Sequence, residues 1–366
     1  MLFLPMHCFE VHIVTVKRIF VFILLVVSPM AWGDEAPEGQ PAEETKSSPW
    51  FVTPLVSSDP KISTAAGAMA GYVHHFDEKS PPSVFGLMGT YSTTDSWYAG
   101  GFGKAFFGED KHRVVGALFT GEVRNDYSDF LGTGLEVQTT DDFAVFALRY
   151  SYRMYGNWFL GSHFVSADYA ISGDNVLSGK IIDYFGLTGF RSSGLGLYGQ
   201  YDTRDNQYSP SSGQAFEVYN VDFRESFGGD ASFDSYTAEY QFYLPHGKAH
   251  VLASRLKGRW TDDAPSAGYS SVDLRGYTQG QYLAEHMSLI EFDERISLTK
   301  KLGAAAFAGV AVLYGTTNLE GNDRYFPAGG GGLFYQLNEE KMVVRADVAF
   351  GKDSNYGFYL TFGHPY

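Results

Sequence analysis

From residue 50 to the C-terminus, apolar and polar side chains alternate one for one in segment after segment. This period of two constrains the fold more than any other feature of the sequence. In FAVFALRYSYR (143–153), Phe146, Leu148, Tyr150 and Tyr152 fall on one face, with Ala147, Arg149, Ser151 and Arg153 on the other. In SYTAEYQFYL (235–244), Tyr236, Ala238, Tyr240, Phe242 and Leu244 oppose Thr237, Glu239 and Gln241. VLASRLKGRW (251–260) and MVVRADVAF (342–350) repeat the pattern, with Arg255, Lys257, Arg259, Arg345 and Asp347 on the polar side. A sandwich strand with one wet face also alternates. Segments of about 10–14 residues are long for a globular strand and long enough to cross a membrane at a tilt.

The connections alternate in size as well. Short ones fall at 77–82, 108–111, 155–157, 245–248, 299–301 and 338–341. Longer ones fall at 124–142, 173–186, 261–283 and 316–328, with smaller members at 228–232 and 351–355. Short turns on one side and long loops on the other mark a transmembrane β-barrel. The expected fold is all-β: an antiparallel transmembrane barrel of about 16 strands, its first strand at Trp50–Ser57 and its last at Tyr356–Gly363. The rhythm puts both ends of the barrel in the periplasm, which requires an even strand number.

Composition fits this reading. The 366 residues include 42 Gly, 25 Tyr and 30 Phe, and the net charge of −15 argues against nucleic-acid binding. Mean hydropathy is only −0.16. Residues 1–33 read as a signal peptide, with Lys17 and Arg18 before the apolar run Ile19–Val27 and small residues at Ala31 and Gly33. Its removal takes the single cysteine, Cys8, leaving no thiol chemistry. Residues 34–49 read as an acidic, disordered linker, and 50–366 as the barrel.

SSVDLRGYTQGQYL (270–283) stands out among the loops. A barrel of this size has a water-filled lumen unless something fills it. A long outer loop folded inward would carry Arg275 into the lumen, where it must meet an acid. LIEFDERISL (289–298) offers Glu291 and Asp293 on one face. The next strand, GAAAFAGVAV (303–312), offers Ala305, Gly309 and Ala311, whose small side chains leave room for the loop.

Two motifs carry a family resemblance. DLRGYTQGQY (273–282) resembles the inward-folded sixth loop of the BamA/TamA-type outer-membrane barrels, the bacterial surface antigen superfamily. YDTRDNQYSPSSG (201–213) is similar to that family's strand-turn motif. FDERISL, FAGVAV, GGGGLFYQL and VRADVAFG follow in the family's order, and the chain closes on YGFYLTFGHPY. The resemblance implies a plug-loop motif of Leu274, Arg275, Gly276 and Tyr277, with Asp293 as the favoured acid partner and Glu291 as the alternative. It implies a strand-turn motif of Asp202, Arg204, Asp205, Pro210 and Gly213, and an assembly signal at Tyr366. The sequence departs from the family in one strand, where Gly309 or Ala311 stands in place of a frequent acid. Family members that fold or export proteins carry periplasmic POTRA repeats, and the chain resembles the subgroup consisting of the barrel alone.

The implied function is assistance to insertion or translocation of proteins or lipids at the bacterial outer membrane, through a lateral seam between first and last strands. A passive channel or structural surface barrel is the alternative. The implied partners are outer-membrane lipids and lipopolysaccharide, the barrel-assembly machinery that inserts the chain itself, and protein or lipid cargo. No enzyme is expected: there is no G-x-S-x-G elbow, and no Asp/His or Ser/His pair stands out by spacing. No cofactor and no metal is expected. His74 and His75 are adjacent and face opposite ways, the glycine run 329–332 lacks a following Lys-Ser/Thr and reads as a flexible strand start, and Asp141, Asp142, Asp262 and Asp263 read as solvated outer-loop charge. Pro54 removes a ladder donor from the first strand, so the seam is expected to pair poorly.

Overall fold

The computed structural model describes residues 48–59, 63–127, 129–338 and 340–366. The expected leader, and the linker up to residue 47, lie outside the described residues. The strands are β1 (Trp50–Asp59), β2 (Ser63–His74), β3 (Ser83–Ser92), β4 (Trp97–Phe107), β5 (His112–Tyr127), β6 (Val137–Tyr155), β7 (Trp158–Gly173), β8 (Gly189–Asp202) and β9 (Gly213–Phe223). They continue with β10 (Phe233–His246), β11 (His250–Asp262), the short β12 (Ser270–Ser271) and β13 (Leu283–Ala284), β14 (His286–Ser297), β15 (Leu302–Tyr314), β16 (Tyr325–Gln336), β17 (Val343–Gly351) and β18 (Tyr356–Phe362). All but β12 and β13 join one closed antiparallel barrel of 16 strands in sequence order; β12 and β13 pair with each other inside the β11–β14 loop.

The usual distribution of side chains is inverted. Leu87, Leu118, Leu197, Leu256 and Phe292 point outward and are exposed, Leu197 by 72%. Arg149, Glu217, Glu239, Arg255, Lys257 and Arg345 point inward and are buried. Only a lipid-facing exterior makes this favourable. Arg or Lys turned outward at the midplane would cost roughly 2–4 kcal/mol each. The wall is therefore transmembrane. Short turns, Trp50 and Tyr366 lie toward one end, called here the turn end; the long connections form the loop end.

At the loop end, β5 and β6 run on as a paired hairpin to Tyr127 and Val137. The expected loop 124–142 is thus shorter. Asp141 and Asp142 belong to β6, and Asp141 is buried, accepting from the Thr139 hydroxyl at 2.6 Å. Asp262 likewise ends β11, and Asp263 alone of the four expected loop acids lies in a connection. Between β7 and β8 the chain forms a helix, α1 (Val176–Tyr184), whose N-cap Asn175 side chain accepts from the Ser178 amide at 2.9 Å. Ile181 and Ile182 of α1 pack with Tyr127, Phe130, Leu131, Phe190, Phe223 and Phe233 into an apolar dome over the barrel mouth.

The closing edge differs from the rest. β1 pairs with β2 from Trp50↔Tyr72 to Asp59↔Ser63, but with β18, among the described residues, only at Ser58↔Phe358. Phe51 and Phe362 stack across this edge, ring centres 4.9 Å apart. β18 stops at Phe362. Gly363, at φ +94°, and Pro365 break the strand, and the last residues turn into the lumen.

Candidate functional site

The β11–β14 loop descends into the lumen. Val272, Leu274, Tyr277 and Tyr282 pack on Leu289, Ala311, Leu313 and Phe326 of the inner wall. That apolar packing seats the loop; two of its charges, Asp273 and Arg275, aim it. Arg275 is 4% exposed. Its guanidinium donates to Glu291 Oε1 from Nε at 3.1 Å and Nη2 at 2.8 Å, to Asp293 Oδ2 at 3.1 Å, and to Asp347 Oδ2 at 2.6 Å. Its carbon lies 3.5 Å from the Phe307 ring centre, a cation–π contact in a dry setting. Burial favours a neutral arginine, but the three carboxylates hold Arg275 charged, its pKa well above the ordinary value.

Register explains how one side chain reaches acids three strands apart, on β14 and β17. Asp293 pairs with Phe307 and Phe307 with Gly330; Gly332 pairs with Asp347. On β15 and β16, Ala305, Gly309, Gly330 and Gly332 turn little or nothing into the lumen, so the guanidinium spans from β14 to β17. The glycine run is therefore the middle of β16 and not a strand start. A side chain at Gly332 would collide with Asp347 Oδ1. Gly276, at φ +98°, brings the loop backbone against Phe350 and Gly351, where an added Cβ would sit 3.0 Å from Phe350 C. Its amide donates to the Tyr359 hydroxyl. Tyr277 donates to Pro327 O at 2.5 Å and accepts from the Lys352 amide at 2.8 Å.

Two partners escaped the sequence reading. Asp347 is a carboxylate as close as any to Arg275; it supplies from β17 the acid absent from β15. Asp273, inside the quoted motif, makes the reverse contact. Its Oδ2 accepts from Arg255 Nη2 at 2.5 Å and Lys257 Nζ at 2.7 Å, both on β11. The loop thus presents a negative group to a basic strand and, two residues on, a positive group to an acidic one. Both expected acids contact Arg275; Glu291 and Asp347 lie somewhat nearer than Asp293, which is shared. It also pairs with Arg345 Nη2 at 2.7 Å and Arg295 Nε at 3.4 Å.

The strand-turn motif closes the turn end. Asp202, at the end of β8, pairs with Arg113 of β5 at 2.7 Å and Arg204 at 2.9 Å. Asp205 accepts from the Ser211 hydroxyl at 2.5 Å and the Ser212 amide at 3.1 Å, folding the turn on itself. Burial alone would raise the Asp205 pKa; those hydrogen bonds and the Ser211 amide hold it below the ordinary carboxylate value. Gly213, at φ +97°, returns the chain to β9.

Arg295 joins the two motifs. From its place beside Asp293 it donates to Pro210 O at 3.4 Å and Tyr366 O at 2.5 Å. The plug acids, the turn and the C-terminal tail form one polar column along the lumen. Tyr366, the expected assembly signal, is buried in it beside Tyr243 and Ala253, beyond the end of the last strand. Beside the column remains a cavity, apolar on the β1–β4 side (Leu55, Met69, Met88, Phe102) and charged on the other (Arg113, Arg149, Glu217).

Solved structures share the barrel fold. BamA from Haemophilus ducreyi lacking POTRA domains 1–3 superposes with TM-score 0.52 at 15% identity, over 85% of this chain and 70% of that one. CdiB from Acinetobacter baumannii and CdiB from Escherichia coli each give TM-score 0.58 at 10% identity over 86% of this chain, with 60% and 62% of their own lengths covered. The fold is that of the BamA and CdiB barrels. The chain spans less than two thirds of either CdiB. No family model matches the sequence, and no curated protein matches it. Against this BamA-type background, the pairing of an inward loop arginine with Glu291, Asp293 and Asp347 is read from the chain itself.

Proposed function

We propose that the chain is a bacterial outer-membrane barrel that assists insertion or translocation of proteins or lipids by opening between β1 and β18. The turn end faces the periplasm and the loop end the exterior. The observation carrying this reading is the seam: among the described residues one pair, Ser58↔Phe358, joins β1 to β18, whereas β17 and β18 pair from Val344↔Phe362 to Phe350↔Tyr356. Each missing ladder bond lowers the cost of parting the strands, and lipid can solvate the apolar outer side of the gap but not its bare backbone. The fold likeness to BamA and CdiB supports the same reading.

A disulfide tests it. Facing residues in an antiparallel ladder stand within reach of a disulfide. Ser58→Cys with Phe358→Cys therefore locks the seam on oxidation. In phosphatidylethanolamine/phosphatidylglycerol vesicles, the reduced chain is expected to speed insertion of a urea-unfolded eight-stranded barrel or transbilayer movement of a fluorescent phospholipid. Oxidation is expected to stop both, and reduction to restore them. Equal rates with and without the lock would refute the seam. Ion conductance that rises in Arg275→Ala, with no effect of the lock on cargo, would mark a plugged channel instead.

A further inference from the structure

One cluster on the outside of the wall does not follow the lipid-facing pattern. His246 ends β10, His250 opens β11 and Glu294 lies on β14, at the turn end. By the alternation of each strand all three point outward, in rows that otherwise carry Leu244, Leu252 and Ile296. His246 and His250 are cross-strand partners, and Glu294 pairs with Leu252. The backbone beneath them is fixed. Gly247 turns the hairpin at φ +61°, and the Ser297 amide of β14 donates to Ala249 O at 2.9 Å.

Glu294 divides its carboxylate between the two rings: Oε2 lies 3.0 Å from His246 Nε2, and Oε1 2.8 Å from His250 Nδ1. The ring centres are 5.2 Å apart. One donor atom from each residue lies within 4.8 Å of the others, and among the described residues no other set of three His, Cys, Asp or Glu meets this condition.

We infer that His246, His250 and Glu294 form a binding site for a first-row divalent cation, zinc foremost. Two imidazole nitrogens and a carboxylate oxygen suit zinc better than calcium or magnesium, which prefer all-oxygen sets. Around a tetrahedral zinc, bonds of about 2.0–2.2 Å place donors roughly 3.3 Å apart. The ligand atoms lie within 4.8 Å of one another on half-exposed side chains, so closing to that spacing calls for side-chain rotation. A cation also answers the cost of a carboxylate at the membrane boundary. Three protein ligands leave a fourth position open to water. The bound ion ties the β10–β11 hairpin to β14 at the foot of the strand that bears Glu291 and Asp293.

The test uses the tag-free full chain in detergent, stripped with a chelator and titrated with Zn²⁺ against a chromogenic competitor. One equivalent is expected to bind. His246→Ala or His250→Ala should weaken it by about 10-fold or more, and the double variant should abolish it. Co²⁺ should give the visible absorption of a four-coordinate nitrogen–oxygen site in the native chain and not in Glu294→Ala. The three residues lie outside the barrel, so unchanged heat-modifiability verifies that each variant is folded. Native chain that binds zinc no better than the double variant, or cobalt absorption that survives Glu294→Ala, would overturn the site.

Discussion

The wall that carries the plug and the edge that closes the barrel are neighbours built on opposite terms. From β14 to β17, Glu291, Asp293, Arg345 and Asp347 surround Arg275 with paired charge, and Asp293 and Asp347 are fully buried. At the edge, among the described residues, β1 meets β18 through one backbone pair and a phenylalanine stack. Removing one partner from a buried charge network strands the others, so the plug wall resists local change. An edge held by few ladder bonds yields early. The comparison teaches that rigidity here is placed in the lumen and compliance in the wall.

The strongest way to break this contrast is Arg275→Ala. It leaves three buried acids short of one cation and should cost about 3–5 kcal/mol in denaturant unfolding in detergent, with the 263–285 loop becoming protease-sensitive. Arg275→Lys should recover only part of this, since an ammonium cannot fork toward three carboxylates. Asp347→Asn should cost about 1.5–3 kcal/mol, and a double-mutant cycle with Arg275→Ala should be non-additive. Additive losses would mean that the cage is not a unit. Hydrogen exchange sharpens the other side: amides of β1 and β18 should exchange on the order of tenfold faster than those of β14 and β15. Equal protection would erase the distinction.

The smallest expected effect is at the turn. Asp205→Ala should cost about 1 kcal/mol, as its carboxylate is exposed and screened. Because the folded pKa of Asp205 is lowered, its contribution is complete above the ordinary aspartate value of about 4 and fades as pH falls through the lower folded value. NMR titration of the turn reads this directly.

Strand positions, inward faces and the loop arginine were legible because a period of two assigns each residue a side. Glu291 and Asp293 follow Arg275 on the very next strand, so local order found them. Asp347 was assigned the right face, but its height in the barrel depends on the stagger of three successive strand pairs, which no single segment encodes. Asp273 was hidden by a different effect: it lies beside Arg275 in the motif, and its partners are on the strand before the loop. The β5–β6 hairpin was cut short because its upper residues Thr139–Asp142 read as a polar loop, while in the fold Thr139 and Asp141 are buried beneath the dome. His246, His250 and Glu294 come together only through the β11–β14 register.

The arrangement around Arg275 also dictates an order of events. With the ring shut and the dome of Phe130, Leu131 and Ile182 overhead, carrying a charged guanidinium past that apolar cluster to Asp347 would be costly. Laying the loop against β14–β17 while the sheet is still open avoids that cost, an order in which the sparse pairing of β1 with β18 is made last. The final step of assembly is then also the easiest to reverse, and reversing it leaves the loop in place.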